Sequence, residues 1–298
     1  MRNDNFKHFL HLHFLVLIAG ITAILGRKIS IDAIALVWYR MLIAGVLMFC
    51  FIKMMRISIK ASLKVISKFL IAGIIIALHW VTFFEAINQS NISITLAMFS
   101  SGAFFASFIE PIFFKRKIKS AEILLGIIVI LGMFLITSGE LKYINGIILG
   151  ITSAFFSSLF AVINGRFIQQ HNAAKISFYE FVSGVIFLSV FVLVKNNGIE
   201  PDFFCLSNQD WIYIFILATI CTTYAFIASV HVMKYISPYT VVLSYNLEPV
   251  YGIALALYFF PEEEQMTYQF YLGTLVIFGV IVTDVILKRK AKNLQNYQ

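Results

Sequence analysis

Apolar stretches of helix length follow one another along the chain, separated by short polar and basic connections. A helix that crosses a bilayer needs about 20 mostly apolar residues at about 1.5 Å rise each. By that rule the sequence predicts spans near 10–28, 33–52, 67–88, 92–114, 120–138, 144–164, 176–195, 210–233, 238–260 and 269–287. Short connections make successive helices antiparallel neighbours. The longest connection, around Asn196 to Gln209, is polar and carries Pro201, and no stretch suits a separate soluble domain. The expected architecture is an all-α integral membrane protein with ten transmembrane helices.

The pattern also repeats. Leu125-Gly126-x-x-Val129-Ile130-x-Gly132 returns as Leu272-Gly273-x-x-Val276-Ile277-x-Gly279, and both copies lie inside apolar segments. Gly26-Arg27-x-Ile29 is echoed by Gly165-Arg166-x-Ile168, and Gly45-Val46 by Gly184-Val185. Each half then holds five spans, residues 1–140 and 141–298. An odd number of spans inserts the second half upside down relative to the first. Inverted repeats of this kind build carriers whose substrate site lies at mid-membrane between the halves.

Composition sharpens this picture. The chain of 298 residues is 60% hydrophobic and only 13% charged, with 31 Phe, far from soluble norms. A net charge of +8 invites a nucleic-acid partner, but the lysines and arginines cluster in short loops, where a membrane protein keeps them. With the amino terminus inside, 18 of the 23 Lys and Arg fall on the cytoplasmic side and four (Arg27, Lys28, Lys142, Lys195) on the other. Both termini are therefore expected in the cytoplasm, and the acidic run Glu262-Glu263-Glu264 faces outward. Residues 1–26 have the look of a signal peptide, yet the echo of Gly26-Arg27 makes the first span part of the repeat. Three cysteines (Cys50, Cys205, Cys221) have no metal or redox spacing.

The remaining lysine or arginine, Arg40, and a few other ionisable groups fall at membrane depth, where they are costly and usually face the bundle interior. Glu248 is the sharpest case, mid-span and followed by Pro249, which cannot donate its N–H and crowds the carbonyl of Tyr245. The repeat offset places Ser101-Gly102 at the equivalent point of span four. Gly102 and Pro249 are thus predicted as paired helix breaks, the best sequence pointer to a binding site. His79 and Trp80, mid-span three, offer an imidazole and a flat indole face. With Ser100, Ser101, Tyr224, Tyr245, Asn246 and Glu248 they form the predicted substrate-contacting set. Plain packing or interhelical hydrogen bonding accounts for each of these residues as well. Arg40 and Glu85, at similar depth on spans two and three, are predicted to form a structural ion pair. Asn164 reads as a helix cap, and Glu180 as a partner of Lys175 or Arg166. No catalytic set, metal site or cofactor is expected.

These features together resemble the drug/metabolite transporter superfamily in its EamA branch, over about residues 10 to 288. The resemblance rests on the ten spans, Trp38-Tyr39-Arg40 opening span two, Leu247-Glu248-Pro249-Val250 followed by Glu262 to Glu264, and the two Leu-Gly motifs. The sequence departs from the family pattern at Gly102, where proline is common. The resemblance implies two inverted five-helix repeats around a central cavity, with spans one, three, four, six, eight and nine lining it. It further implies export of amino acids or related metabolites across a bacterial cytoplasmic (inner) membrane. The partners are then the bilayer, a small-molecule substrate and a proton as coupling ion. Two alternatives stay open: a carrier of phosphorylated solutes such as nucleotide sugars, and a polytopic membrane enzyme. The first would want basic groups in the cavity. Metal-dependent members of the second would want clustered acids or histidines that the spans lack.

Overall fold

The computed structural model describes residues 2–115, 117–118, 120–195, 201–232, 235, 244–245 and 247–295. Among them every regular element is helical. The helices are α1 (Arg2–Lys28), α2 (Ala33–Met54), α3 (Leu63–Gln89), α4 (Ile92–Phe99), α5 (Gly102–Phe114), α6 (Ser120–Gly139), α7 (Ile144–Phe167), α8 (Ala173–Lys195), α9 (Asn208–Ala218), α10 (Ala225–Val232), α11 (Glu248–Phe259) and α12 (Tyr268–Gln295). Short 3₁₀ turns, Leu141–Tyr143 and Pro201–Phe204, precede α7 and α9. Eight helical segments among the described residues are long and apolar enough to cross a bilayer, counting α4–α5 and α9–α10 as one each; α11 and residues 268–284 of α12 are shorter apolar helices. These make the ten spans, and the first part of span nine, including 238–243, lies outside the described residues.

Local chemistry sets where helices begin and break. Asp32 caps α2, its carboxylate accepting from the N–H groups of Ile34 at 2.8 Å and Ala35 at 3.1 Å. Span four is interrupted between α4 and α5. There the hydroxyls of Ser100 and Ser101 turn back to donate to the carbonyls of Leu96 and Met98 at 2.9 and 2.6 Å. Pro249 sits in the first turn of α11, where its missing N–H would have no helical partner anyway. Span eight contains a π-helical segment, Thr219–Tyr224, in which the Thr222 and Thr223 hydroxyls donate to carbonyls five residues back, at 2.8 and 2.9 Å. Such widened turns recur at functional positions.

Contacts between spans follow a two-fold rule. When spans one to five are matched with six to ten, the packing of α1 on α11 corresponds to that of α7 on α4 and α5. Likewise α3 on α7 corresponds to the α9–α10 span on α1, and α3 on α8 to α9 and the π segment on α2. The pairs α2–α8 and α6–α12 each join a span to its own counterpart. Two oppositely inserted copies about an axis in the membrane plane give this exchange.

Close crossings use glycine. A Cβ on Gly20 would lie 3.0 Å from the backbone nitrogen of Gly252, which brings α1 and α11 together. In the same way a Cβ on Gly132 would lie 3.1 Å from the Gly273 carbonyl oxygen where α6 meets α12. The other two motif glycines do not join this crossing. Gly126 abuts the Phe104 ring and Gly279 has nothing within 4 Å of a Cβ. Large apolar side chains of α6 and α12, among them Phe134 and Leu275, each 68% exposed, form a perimeter suited to acyl chains.

Candidate functional site

A cavity of ≈ 370 Å³ lies between the halves, and most of its wall is apolar. Residues of α1, α2, α3, α7, α8, span eight and span nine border it, and Phe99 brings in span four. Spans two and seven are therefore added to the expected lining, through Arg40 on α2 and through Ser177, Glu180 and Phe181 on α8.

The consecutive residues Trp38, Tyr39 and Arg40 show how α2 is oriented. The Trp38 indole N–H donates to the Ser189 hydroxyl at 2.8 Å, pinning α2 to α8, and the Tyr39 hydroxyl donates to the Phe203 carbonyl at 3.3 Å. With those two fixed, Arg40 turns into the bundle and is 4% exposed. Its guanidinium carbon lies 3.9 Å from the centre of the Trp80 ring, and its Nε donates to Thr222 Oγ1 at 2.8 Å. The π segment supplies that acceptor. Trp80 in turn stacks on Phe181, with ring centres 6.1 Å apart. Glu248 borders the same cavity and interacts electrostatically with Arg40. Nearby, the hydroxyls of Tyr245 and Ser229 are 2.7 Å apart.

A second polar group lies nearer the α7–α8 connection. Glu180 is 1% exposed and accepts from the Asn164 side-chain N–H at 2.8 Å. Ser157 and Ser177 border the cavity beside them, as do Ile168 and Ala173 at the connection itself. The opposite end of the bundle is fastened. Arg27 meets Glu263 at 2.6 Å, and the buried Glu264 carboxylate accepts from the N–H groups of Ile92 and Ser93 at 3.0 and 2.9 Å. Asp210 accepts from the Ser30 N–H and hydroxyl at 2.7 and 2.8 Å, and Glu140 from the Thr267 N–H at 2.7 Å.

Of the predicted substrate-contacting residues, His79, Trp80, Tyr245 and Glu248 border the cavity. His79 is held in its wall, with Nδ1 2.9 Å from the Ser153 hydroxyl and 3.1 Å from its carbonyl, and with its ring stacked on Phe99. Three others are elsewhere. Ser100 and Ser101 are buried against their own helix, where the interrupted turn leaves carbonyls for their hydroxyls. Tyr224 is 41% exposed and its hydroxyl lies 2.8 Å from His11 Nε2, because the π segment turns it outward. Asn246 lies outside the described residues. The predicted Arg40–Glu85 ion pair does not form. Glu85 is engaged by Asn88 and Gln89 on its own helix, at 3.4 and 2.8 Å, whereas Arg40 finds an aromatic face and a hydroxyl deeper in the bundle.

Glu180 and Asn164 also depart from expectation. They bond to each other, while Lys175 donates to the Lys60 carbonyl at 3.1 Å and Arg166 to that of Phe113 at 3.3 Å. Thr222 and Ser229 do not stand out in the sequence, and Ser157 reads there only as one of a stripe of small residues on span six. Their signal is periodic: Ser157, Phe160 and Asn164 on α7, and Cys221, Thr222, Ala225 and Ser229 in span eight, fall at helical spacing on one face. Among the described residues no three His, Cys, Asp or Glu side chains converge as a metal site.

No curated protein matches the sequence significantly. A solved structure described only as a crystal structure of a protein shares the fold, with a TM-score of 0.63 and 13% identity, over 94% of this chain and 98% of that one. At that identity it speaks for the fold alone. The EamA-like transporter family matches twice, over residues 10–138 and again over 144–283. Matches in both halves, on a helical membrane bundle whose contacts obey the same duplication, identify the chain as a member of the EamA-like transporter family.

Proposed function

We propose that the protein is a secondary transporter of the bacterial cytoplasmic membrane, not an enzyme, and that it exports small amphiphilic metabolites, chiefly amino acids, by alternating access. The observation that carries this reading is an apolar cavity between the halves bordered by one guanidinium, that of Arg40, and by the carboxyl groups of Glu180 and Glu248. Transport pockets for amphiphiles combine apolar walls with few, well-placed polar groups. The rocking units are residues 1–140 and 141–298. With lysines and arginines concentrated on the cytoplasmic side, the α7–α8 connection toward which the cavity extends is cytoplasmic. The fastened end is then external, and this conformation receives substrate from inside. Glu248 takes the substrate ammonium, and in its absence a proton.

A phosphorylated solute suits the site less well. Doubly charged groups want surplus cations, and Arg40 is the one Lys or Arg among the described cavity residues. Reconstitution in liposomes loaded with labelled amino acids tests the proposal. Protein-dependent efflux is expected, and Glu248→Gln is expected to slow it about tenfold or more, the scale of one lost charge-assisted hydrogen bond. Equal rates with and without protein overturn the reading.

A further inference from the structure

Arg40 has donor capacity that the protein leaves unused. Its Nε is bonded to Thr222 and its guanidinium carbon lies over the Trp80 ring, but Nη1 is buried with no hydrogen-bond partner among the described residues. An unmade bond on a buried charged donor is expensive and calls for an explanation. The usual explanation, an ion pair on a neighbouring helix, fails for Glu85, which is engaged elsewhere. Arg40 borders the cavity, so a small swing of its guanidinium brings Nη1 to an acceptor that enters there.

The geometry points to Arg40 as the anchor for a substrate carboxylate, with Glu248 holding the ammonium of the same molecule. This deepens the amino-acid exporter reading and rests on it. A planar guanidinium seated over an indole has little freedom, and a carboxylate matches its donor edge with two oxygens. Trp80 and Thr222 are the parts that hold it so. The α-carboxylate and α-ammonium of an amino acid are carried by one molecule, and Arg40 and Glu248 likewise border one cavity. Phe83, Phe99, Phe160 and Phe226 then surround the side chain, which favours apolar and aromatic amino acids. A dianion would meet one cation and the repulsion of Glu248. A bare amine would satisfy Glu248 and leave Arg40 as it is now.

The test uses the purified full-length protein in detergent and two ligand series, read by thermal shift and by binding titration. One is L-phenylalanine, phenethylamine and 3-phenylpropanoate; the other is L-leucine, 3-methylbutylamine and 4-methylpentanoate. In at least one series the amino acid is expected to bind, and its amine about tenfold or more weaker. In Arg40→Gln the amino acid is expected to weaken to about the level of its amine, and in Arg40→Lys to recover only in part. An amine that binds the unaltered protein as tightly as its amino acid overturns the role of Arg40 and leaves the exporter reading intact. No binding and no liposome efflux for either amino acid overturns both. Should Arg40→Gln fail to fold, the ligand series on the unaltered protein decides alone.

Discussion

A single hydroxyl shows how far the site depends on exact placement. Thr222 Oγ1 donates to the Leu217 carbonyl and accepts from Arg40 Nε, so it links the widened turn of span eight to the guanidinium of span two. Replacing it by the isosteric valine removes the acceptor and leaves a second Arg40 donor without a partner. Thr222→Val is expected to cost about 1–3 kcal/mol of stability, seen as a lowered melting temperature, and to weaken ligand binding. Thr222→Ser, which keeps the oxygen, is expected to restore most of both; equal behaviour of the two variants would remove the hydroxyl from this role. The sequence marks Glu248, His79 and Trp80 because ionisable and polar groups are conspicuous in apolar spans. It does not mark Thr222, and it misplaces Tyr224, for one physical reason. A π turn inserts an extra residue and so rotates the remainder of the helix by about 100°. The side chain that a regular helix would point inward is turned out, and a modest threonine takes the inner face. The partner of Arg40 is equally hidden, since it lies 182 residues away in the other half.

At the scale of elements, the short helix α4 is held at its start from both sides. Asn91 of its own half accepts from the Ile94 N–H at 2.9 Å, and Glu264 of the other half accepts from Ile92 and Ser93. The neighbouring Arg27–Glu263 pair is at least a third exposed on each side. Exposed ion pairs contribute little, about 0–1 kcal/mol, whereas a buried carboxylate that satisfies two helix-start N–H groups leaves both unmet when removed. Glu264→Ala is therefore expected to destabilise by about 1–3 kcal/mol, and Arg27→Ala by less than about 1 kcal/mol, as measured by thermal unfolding in detergent. Equal losses would mean that the exposed pair, and not the buried cap, fastens this end. The helices themselves are largely legible in the sequence. The apolar runs locate the spans to within a few residues at most ends, and Ser101-Gly102 coincides with the interruption of span four. What the runs cannot supply is the cross-half cap, because Glu264 reads as one more acid in an outer loop until the fold brings it to α4.

For the whole molecule, the duplication read from short residue matches reappears as a bundle whose helix contacts exchange when the halves are swapped. Direction across the membrane follows from charge placement, and a natural probe tests it. Cys205 is exposed in the connection between α8 and α9, Cys221 is buried, and Cys50 is exposed on the lipid-facing side of span two, near the end opposite that connection. With both termini cytoplasmic, a membrane-impermeant maleimide added to intact cells is expected to label the protein, and Cys205→Ser to abolish that labelling. Labelling that requires permeabilised cells would reverse the orientation and, with it, the side from which the cavity is loaded. The sequence cannot foretell which end stands fastened, since both copies carry the same motifs. That asymmetry belongs to the conformation, whereas the crossing of α6 and α12 joins a span to its own counterpart. At the crossing of Gly132 and Gly273 the two backbones come close, with Ile136, Val276 and Ile277 packed around the contact. A joint of that kind can turn as a pivot pin turns, letting the far ends of the two helices scissor apart or together while the pin itself stays in place.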